Sequence, residues 1–136
     1  MKHTLELKKE FVKYEVAVEL KKLGFDEPCF TYYYDISGEL RKNISVDIHN
    51  GWTYFPNLKL ITLAPTFSQA FRFFRERHGL YSLYTMGDYE NNFYWQIWRN
   101  DYKTKTYITA SNYVFEKYEE AEQACLLKLI EIVKNK

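Results

Sequence analysis

Only two cysteines, three prolines and five glycines stand among the 136 residues. Two thiols far apart in sequence, Cys29 and Cys125, match neither a metal-binding nor a redox spacing, which excludes a disulfide-dense scaffold and a zinc ribbon. A bridge between them stays open on spacing alone. Two buried thiols in a reducing compartment is the expected state. So little Pro and Gly excludes a linker-like or low-complexity chain. Charge of one sign is also missing. Nineteen Lys and Arg face eighteen Asp and Glu, for a net charge of +1, which excludes a basic nucleic-acid coat, an acidic solvating tail and a polybasic membrane patch. No window approaches the roughly twenty apolar residues that span a bilayer. Charges interrupt every apolar run in the first ten residues, which read as neither signal peptide nor anchor, so the expected location is cytoplasmic. The sequon Asn43-Ile44-Ser45 has meaning only in a secreted chain.

Catalytic signatures are equally scarce. There is no Gly-x-Ser-x-Gly, no glycine-rich phosphate loop and no His-Glu-x-x-His. Asp47 and His49 share a face if they lie on a strand, but two ligands fall short of the three or four that zinc takes, and a solvent-facing alternation beside a turn explains them equally. Asp88 and Glu90 lie in a polar, turn-rich stretch that supplies neither the burial nor the charged neighbour that general acid–base work needs. The sequence therefore predicts no catalytic residue, no metal and no cofactor.

What the chain has in excess is rings: 3 Trp, 13 Tyr and 10 Phe, 19% of all residues. Their placement follows from the elements. Val16, Ala17, Leu20 and Leu23 fall at helical spacing before Gly24, a C-terminal stop. Cys29 to Tyr34 is β-prone and Asp35–Gly38 is turn chemistry. Ile44 to His49 alternates strictly, Asn50-Gly51 is the preferred two-residue hairpin turn, and Trp52 to Phe55 reads as the returning strand. Thr66 with Gln69 forms a capping box, after which Phe67, Ala70, Phe71 and Phe74 make an i, i+3, i+4, i+7 stripe ending at Gly79. The runs 80–86, 93–99 and 105–110 read as an antiparallel meander. A last helix from about Tyr118 to Asn135 has Glu119, Glu120 and Glu122 at its start and Lys134 and Lys136 at its end, the order that the helix dipole favours.

The expected architecture is one α+β domain over residues 1–136, with antiparallel strands packed against about three helices in the order α-β-β-β-α-β-β-β-α. Both halves run helix, glycine, tyrosine-rich strand and turn, which fits an ancient duplication and equally a common local grammar. The order α-β-β-β-α over residues 66–135 resembles that of double-stranded-RNA-binding domains. That family grips phosphates with lysines at the start of its last helix; three glutamates stand here instead, against RNA binding.

Alternation along a strand exposes at least one ring of Tyr32-Tyr33-Tyr34, of Phe93-Tyr94-Trp95 and of Trp52-Thr53-Tyr54. Aromatic residues and Arg are the types enriched in interface cores. The candidate binding residues are accordingly Tyr33, Trp52, Tyr94, Trp98, Arg72 and Arg75, either as a protein-interaction face or as a stacking surface for single-stranded nucleic acid. Helices covering both faces of a sheet would instead bury these rings.

Three segments, residues 20–29 (LKKLGFDEPC), 64–75 (APTFSQAFRFFR) and 118–126 (YEEAEQACL), resemble an uncharacterised family of short proteins from gut bacteria and their prophages. The family has no known activity, so the resemblance carries no site across. It implies an accessory gene of mobile-element origin and does not reach residues 40–57. The expected role is a non-catalytic accessory protein acting through a protein partner or as a homodimer, with nucleic-acid binding as the alternative.

Overall fold

A computed structural model describes residues 8–42, 60–86, 92–100, 104–112 and 114–135. The expected strands over residues 44–55 with their Asn50-Gly51 turn, the Asp47/His49 pair and the Asp88/Glu90 pair lie outside the described residues. The fold is α+β. In chain order the described elements are α1 (Tyr14–Lys22), β1 (Thr31–Tyr34), β2 (Glu39–Lys42), β3 (Ile61–Ala64), α2 (Phe67–His78), β4 (Leu80–Met86), β5 (Phe93–Asn100), β6 (Lys105–Ala110) and α3 (Tyr118–Lys134). They give the predicted order, with two antiparallel three-stranded sheets. Packing divides the chain into two compact units, Met1–Gln69 and Ala70–Lys136.

In the first unit α1 buries Val16, Ala17 and Leu20. Its end is a Schellman motif: the Phe25 N–H reaches the Leu20 carbonyl at 3.0 Å and the Gly24 N–H the Lys21 carbonyl at 3.1 Å. Gly24 takes φ +95°, a conformation open to glycine at little steric cost. The motif seats Phe25 in the interior, 5% exposed. The sheet runs β2-β1-β3, so the first strand is central. Neither β2 nor β3 is predicted from the sequence. β2 is a polar edge (Glu39-Leu40-Arg41-Lys42) that reads as loop, and β3 is an apolar run without alternation.

Tyr33 faces the core of this unit. It is 8% exposed, its ring stands edge-on to Tyr14 at 5.4 Å, and its hydroxyl donates to the Val12 carbonyl at 2.6 Å. Tyr33→Phe leaves that carbonyl without its partner. The expected result is a stability loss of about 1–3 kcal/mol, read as a lower urea midpoint at unchanged slope.

Helix α2 begins with the predicted capping box. The Gln69 backbone N–H donates to the Thr66 hydroxyl at 3.2 Å and the Thr66 N–H donates to Gln69 Oε1 at 3.0 Å, which satisfies two donors that the first turn would otherwise orphan. Gly79, at φ +65°, ends it. In the second unit the sheet runs β4-β5-β6, with the middle strand central. The two halves thus differ in strand order, which a simple duplication would preserve. Helix α3 buries Ala121, Cys125, Leu126, Leu129 and Ile130, and its contacts are with β5 and β4.

Candidate functional site

The face of the second sheet is set by which alternate residues the helices cover. Leu80 and Ile97 are 0% exposed and Trp95 is 6% exposed, so the set Leu80, Ser82, Tyr84 on β4 and Trp95, Ile97 on β5 points inward. Both helices of the unit lie on that side. The Phe71 ring of α2 meets the Tyr84 ring edge-on at 5.7 Å, and α3 packs on the same side, with the Tyr118 ring 5.2 Å from that of Tyr84.

The opposite set therefore forms an open face. Tyr81 on β4 is directly paired with Trp98 on β5, and Trp98 with Tyr107 on β6, which places three rings in one row across the sheet. Tyr81 is 37% exposed and Tyr107 51%. Trp98 is half-buried because the Tyr107 ring packs edge-on against it at 5.4 Å. Its indole N–H donates to Gln96 Oε1 at 3.2 Å, which holds the ring in place. Beside the row, Leu83 is 53% exposed and pairs with Gln96; Tyr94 is half-buried on the same face. A register shift between Ile97 and Trp98 lets Tyr107 face Trp98 while Ala110 faces Gln96. Among the described strand residues of this face only Lys105 is charged.

The predicted residues thus separate. Tyr94 and Trp98 come together on the open face. Arg72 and Arg75 are exposed on α2, which packs on the other side of the sheet, so they do not share a stacking surface with these rings. Tyr33 is a core residue whose hydroxyl is already engaged; it offers no ring to a partner, and the half-buried rings of its strand are Tyr32 and Tyr34. Trp52 lies outside the described residues. Sequence reasoning passed over Tyr81, Leu83 and Tyr107. The signal was present in the alternation of Leu80–Tyr84, but the covered parity becomes known only once the helices are placed.

Both cysteines are buried and free. Burial, reinforced by the Glu27 carboxylate, pushes the Cys29 thiol up to about 12, and the thiol donates to the Glu27 carbonyl at 3.3 Å. Burial outweighs the opposing pull of the nearby Ser82 and Tyr84 hydroxyls and pushes the Cys125 thiol up to about 11. Both therefore stay protonated near neutral pH, the state least suited to nucleophilic attack. Among the described residues no group of three or more His, Cys, Asp or Glu could hold a metal ion, and no helix is long and apolar enough to cross a membrane. Comparison of the chain with protein-family models, with curated proteins and with solved structures finds no match.

Proposed function

We propose that this protein is a non-catalytic accessory protein that acts by binding another protein or a second copy of itself, with the open face of the β4-β5-β6 sheet as its contact surface. The observation that carries this reading is the uncovered row Tyr81–Trp98–Tyr107 flanked by Leu83. Tyr and Trp give large contact area with few rotatable bonds and dominate the energetics of interface centres. The scarcity of charge on this face favours a protein partner over a polyanion, whose affinity rests on phosphate neutralisation. The exposed Glu119 and Glu120 at the first turn of α3 argue in the same direction. A mobile-element origin rests on the three sequence segments alone.

Sedimentation velocity over a wide concentration range tests self-association, and a photo-crosslinking residue at position 107 tests capture of a different protein in the native host. Tyr107→Ala is expected to weaken the association at least tenfold, about 1.4 kcal/mol, while shifting fold stability by less than about 1 kcal/mol because that ring is half exposed. A chain that stays monomeric throughout and forms no crosslink would sink the reading. The same row of rings is also the geometry of a base-stacking platform, which keeps single-stranded nucleic acid as the second reading. Quenching of Trp fluorescence by an oligothymidylate at low salt, lost in Trp98→Ala, would favour it.

A further inference from the structure

The second unit contains a pocket of about 290 Å³ on the helix side of its sheet, away from the Tyr81–Trp98–Tyr107 row. Ala124, Leu127, Lys128 and Glu131 of α3 line it at i, i+3, i+4 and i+7, one stripe of the helix, and Trp95 of β5 completes the wall. The path of the chain after β6 explains the opening. The Ser111 N–H donates to the Trp95 carbonyl at 3.0 Å, and Phe115 exchanges two bonds with Phe93 at 2.7 and 2.8 Å. Between these anchors the returning chain has more residues than β5 has, so it cannot keep the register of the strand. Asn112 and Val114 are accordingly exposed.

Trp95 is only 6% exposed, yet its buried indole Nε1 has no acceptor. Buried Trp N–H groups normally find one, and an orphan is both rare and costly. A ligand that enters past Leu127, 49% exposed, brings the missing acceptor. Its chemistry follows from the wall. The indole only donates, so a ligand with donors alone gains nothing from it. The Lys128 ammonium already donates to Glu131 Oε1 at 3.2 Å, and both side chains are partly exposed. A carboxylate would have to displace Glu131, exchanging one exposed ion pair for another with little net gain. Ala124, Leu127 and Phe115 supply an apolar lining, and the volume is at the lower end of the range for ligand pockets. We propose that this pocket binds a small uncharged carbonyl compound (an amide, lactone or ketone on an apolar body of ring size) whose oxygen accepts from the Trp95 indole N–H. The apolar body lies against Phe115, Ala124 and Leu127. This site does not rest on the open sheet face and stands or falls without it.

The test is titration of the full-length protein with three probes of similar shape, acetophenone, ethylbenzene and benzoate, followed by NMR at the tryptophan indole N–H groups. Trp52→Phe and Trp98→Phe assign the Trp95 resonance by elimination. Acetophenone is expected to move that resonance downfield and saturably, as an N–H that gains an acceptor does, and ethylbenzene is not. Trp95→Phe keeps an apolar ring and deletes the donor. It is expected to weaken acetophenone about tenfold, the size of one net hydrogen bond, and to leave ethylbenzene unchanged. Ala124→Leu fills the space and abolishes binding of both. The indole resonance is read on the unaltered pocket, so it decides the matter even if Trp95→Phe misfolds. No saturable shift with acetophenone overturns the proposal. So does an equal shift with ethylbenzene, which would leave a pocket that sorts by size alone. Tighter binding of benzoate overturns it too, by making Lys128 the anchor, and a shift confined to Trp98 would move the binding to the open face.

Discussion

Phe73→Ala is expected to destabilise the protein by about 3–5 kcal/mol, the range for truncating a fully enclosed aromatic side chain. Phe73 is 0% exposed. Its ring meets Phe74 edge-on at 5.3 Å and His78 at 5.4 Å, and the Arg77 guanidinium lies 5.6 Å over it. Removing the ring forfeits these contacts and leaves a cavity that the flanking strands and helices fill only in part. Against a total stability of about 5–15 kcal/mol, such a loss brings the chain close to unfolding at 37 °C. Phe67→Ala on the same helix is expected to shift stability by less than half as much, since Phe67 is only half-buried. Urea unfolding of the two variants side by side decides the matter, and equal shifts would contradict the burial described above.

That pair also shows where sequence periodicity stops. The stripe Phe67, Ala70, Phe71, Phe74 gives the direction of the buried side of α2, yet the residues actually enclosed are Ala70, Phe71, Phe73 and Phe74. At about 100° per residue, Phe73 and Phe71 bound an arc of roughly 160°, wider than the minimal apolar stripe of an amphipathic helix. Phe67 points along the middle of that arc but sits in the first turn, where less of the molecule covers it. Periodicity reports angle; it does not report how much protein stands opposite each turn.

What local chemistry dictates was legible: the Thr66–Gln69 box, the glycine stops at 24 and 79, the β4-β5-β6 meander and the acidic start of α3 all depend on residues a few positions apart. What depends on partners distant in the chain was not. β2 is held by its ladder with β1 and carries a single apolar residue, Leu40, among Glu39, Arg41 and Lys42. β3 is mostly buried along its length, Ile61, Thr62 and Ala64 fully, so it shows no alternation that would distinguish a strand from a short apolar helix segment. The candidate face follows the same rule. Alternation requires that Phe93-Tyr94-Trp95 split between two faces, but nothing in those three letters says which parity the helices take. Nor does it say that Arg72 and Arg75, on α2, lie across the sheet from Trp98.

Raising the pH from 9 to 11 is expected to remove about 4 kcal/mol of stability through the two buried thiols. An ordinary cysteine thiol ionises near 9.0, whereas burial holds Cys29 to about 12 and Cys125 to about 11. Below pH 9 both the folded and unfolded chains carry both thiol protons, and the thiols impose no pH dependence. Above pH 9 the unfolded chain releases two protons that the folded chain retains, so the unfolded state binds fewer protons and stability falls. At about 1.4 kcal/mol per group per pH unit, two thiols give a slope that approaches about 2.7 kcal/mol per unit near pH 10, between half-ionisation of the unfolded thiols at pH 9 and ionisation of Cys125 in place near pH 11. Cys29 continues to about pH 12. Tyr84 adds a loss of the same sign from about pH 10, where an unfolded tyrosine begins to ionise, since burial first, and then its neighbours Cys125 and Glu122, raise its hydroxyl above the usual tyrosine range. Urea titrations at half-unit steps from pH 7.5 to 11 measure the slope directly. In Cys29→Ala/Cys125→Ala, which loses both protons from the balance at modest packing cost, the profile from pH 9 to 10 is expected to flatten. A wild-type slope retained in that double variant would assign the alkaline loss to other groups. Thiol-reactive dye at pH 8 supplies the matching kinetic readout: labelling should be negligible in the folded protein and proceed at the rate of chain opening, because only the unfolded state holds an appreciable fraction of thiolate.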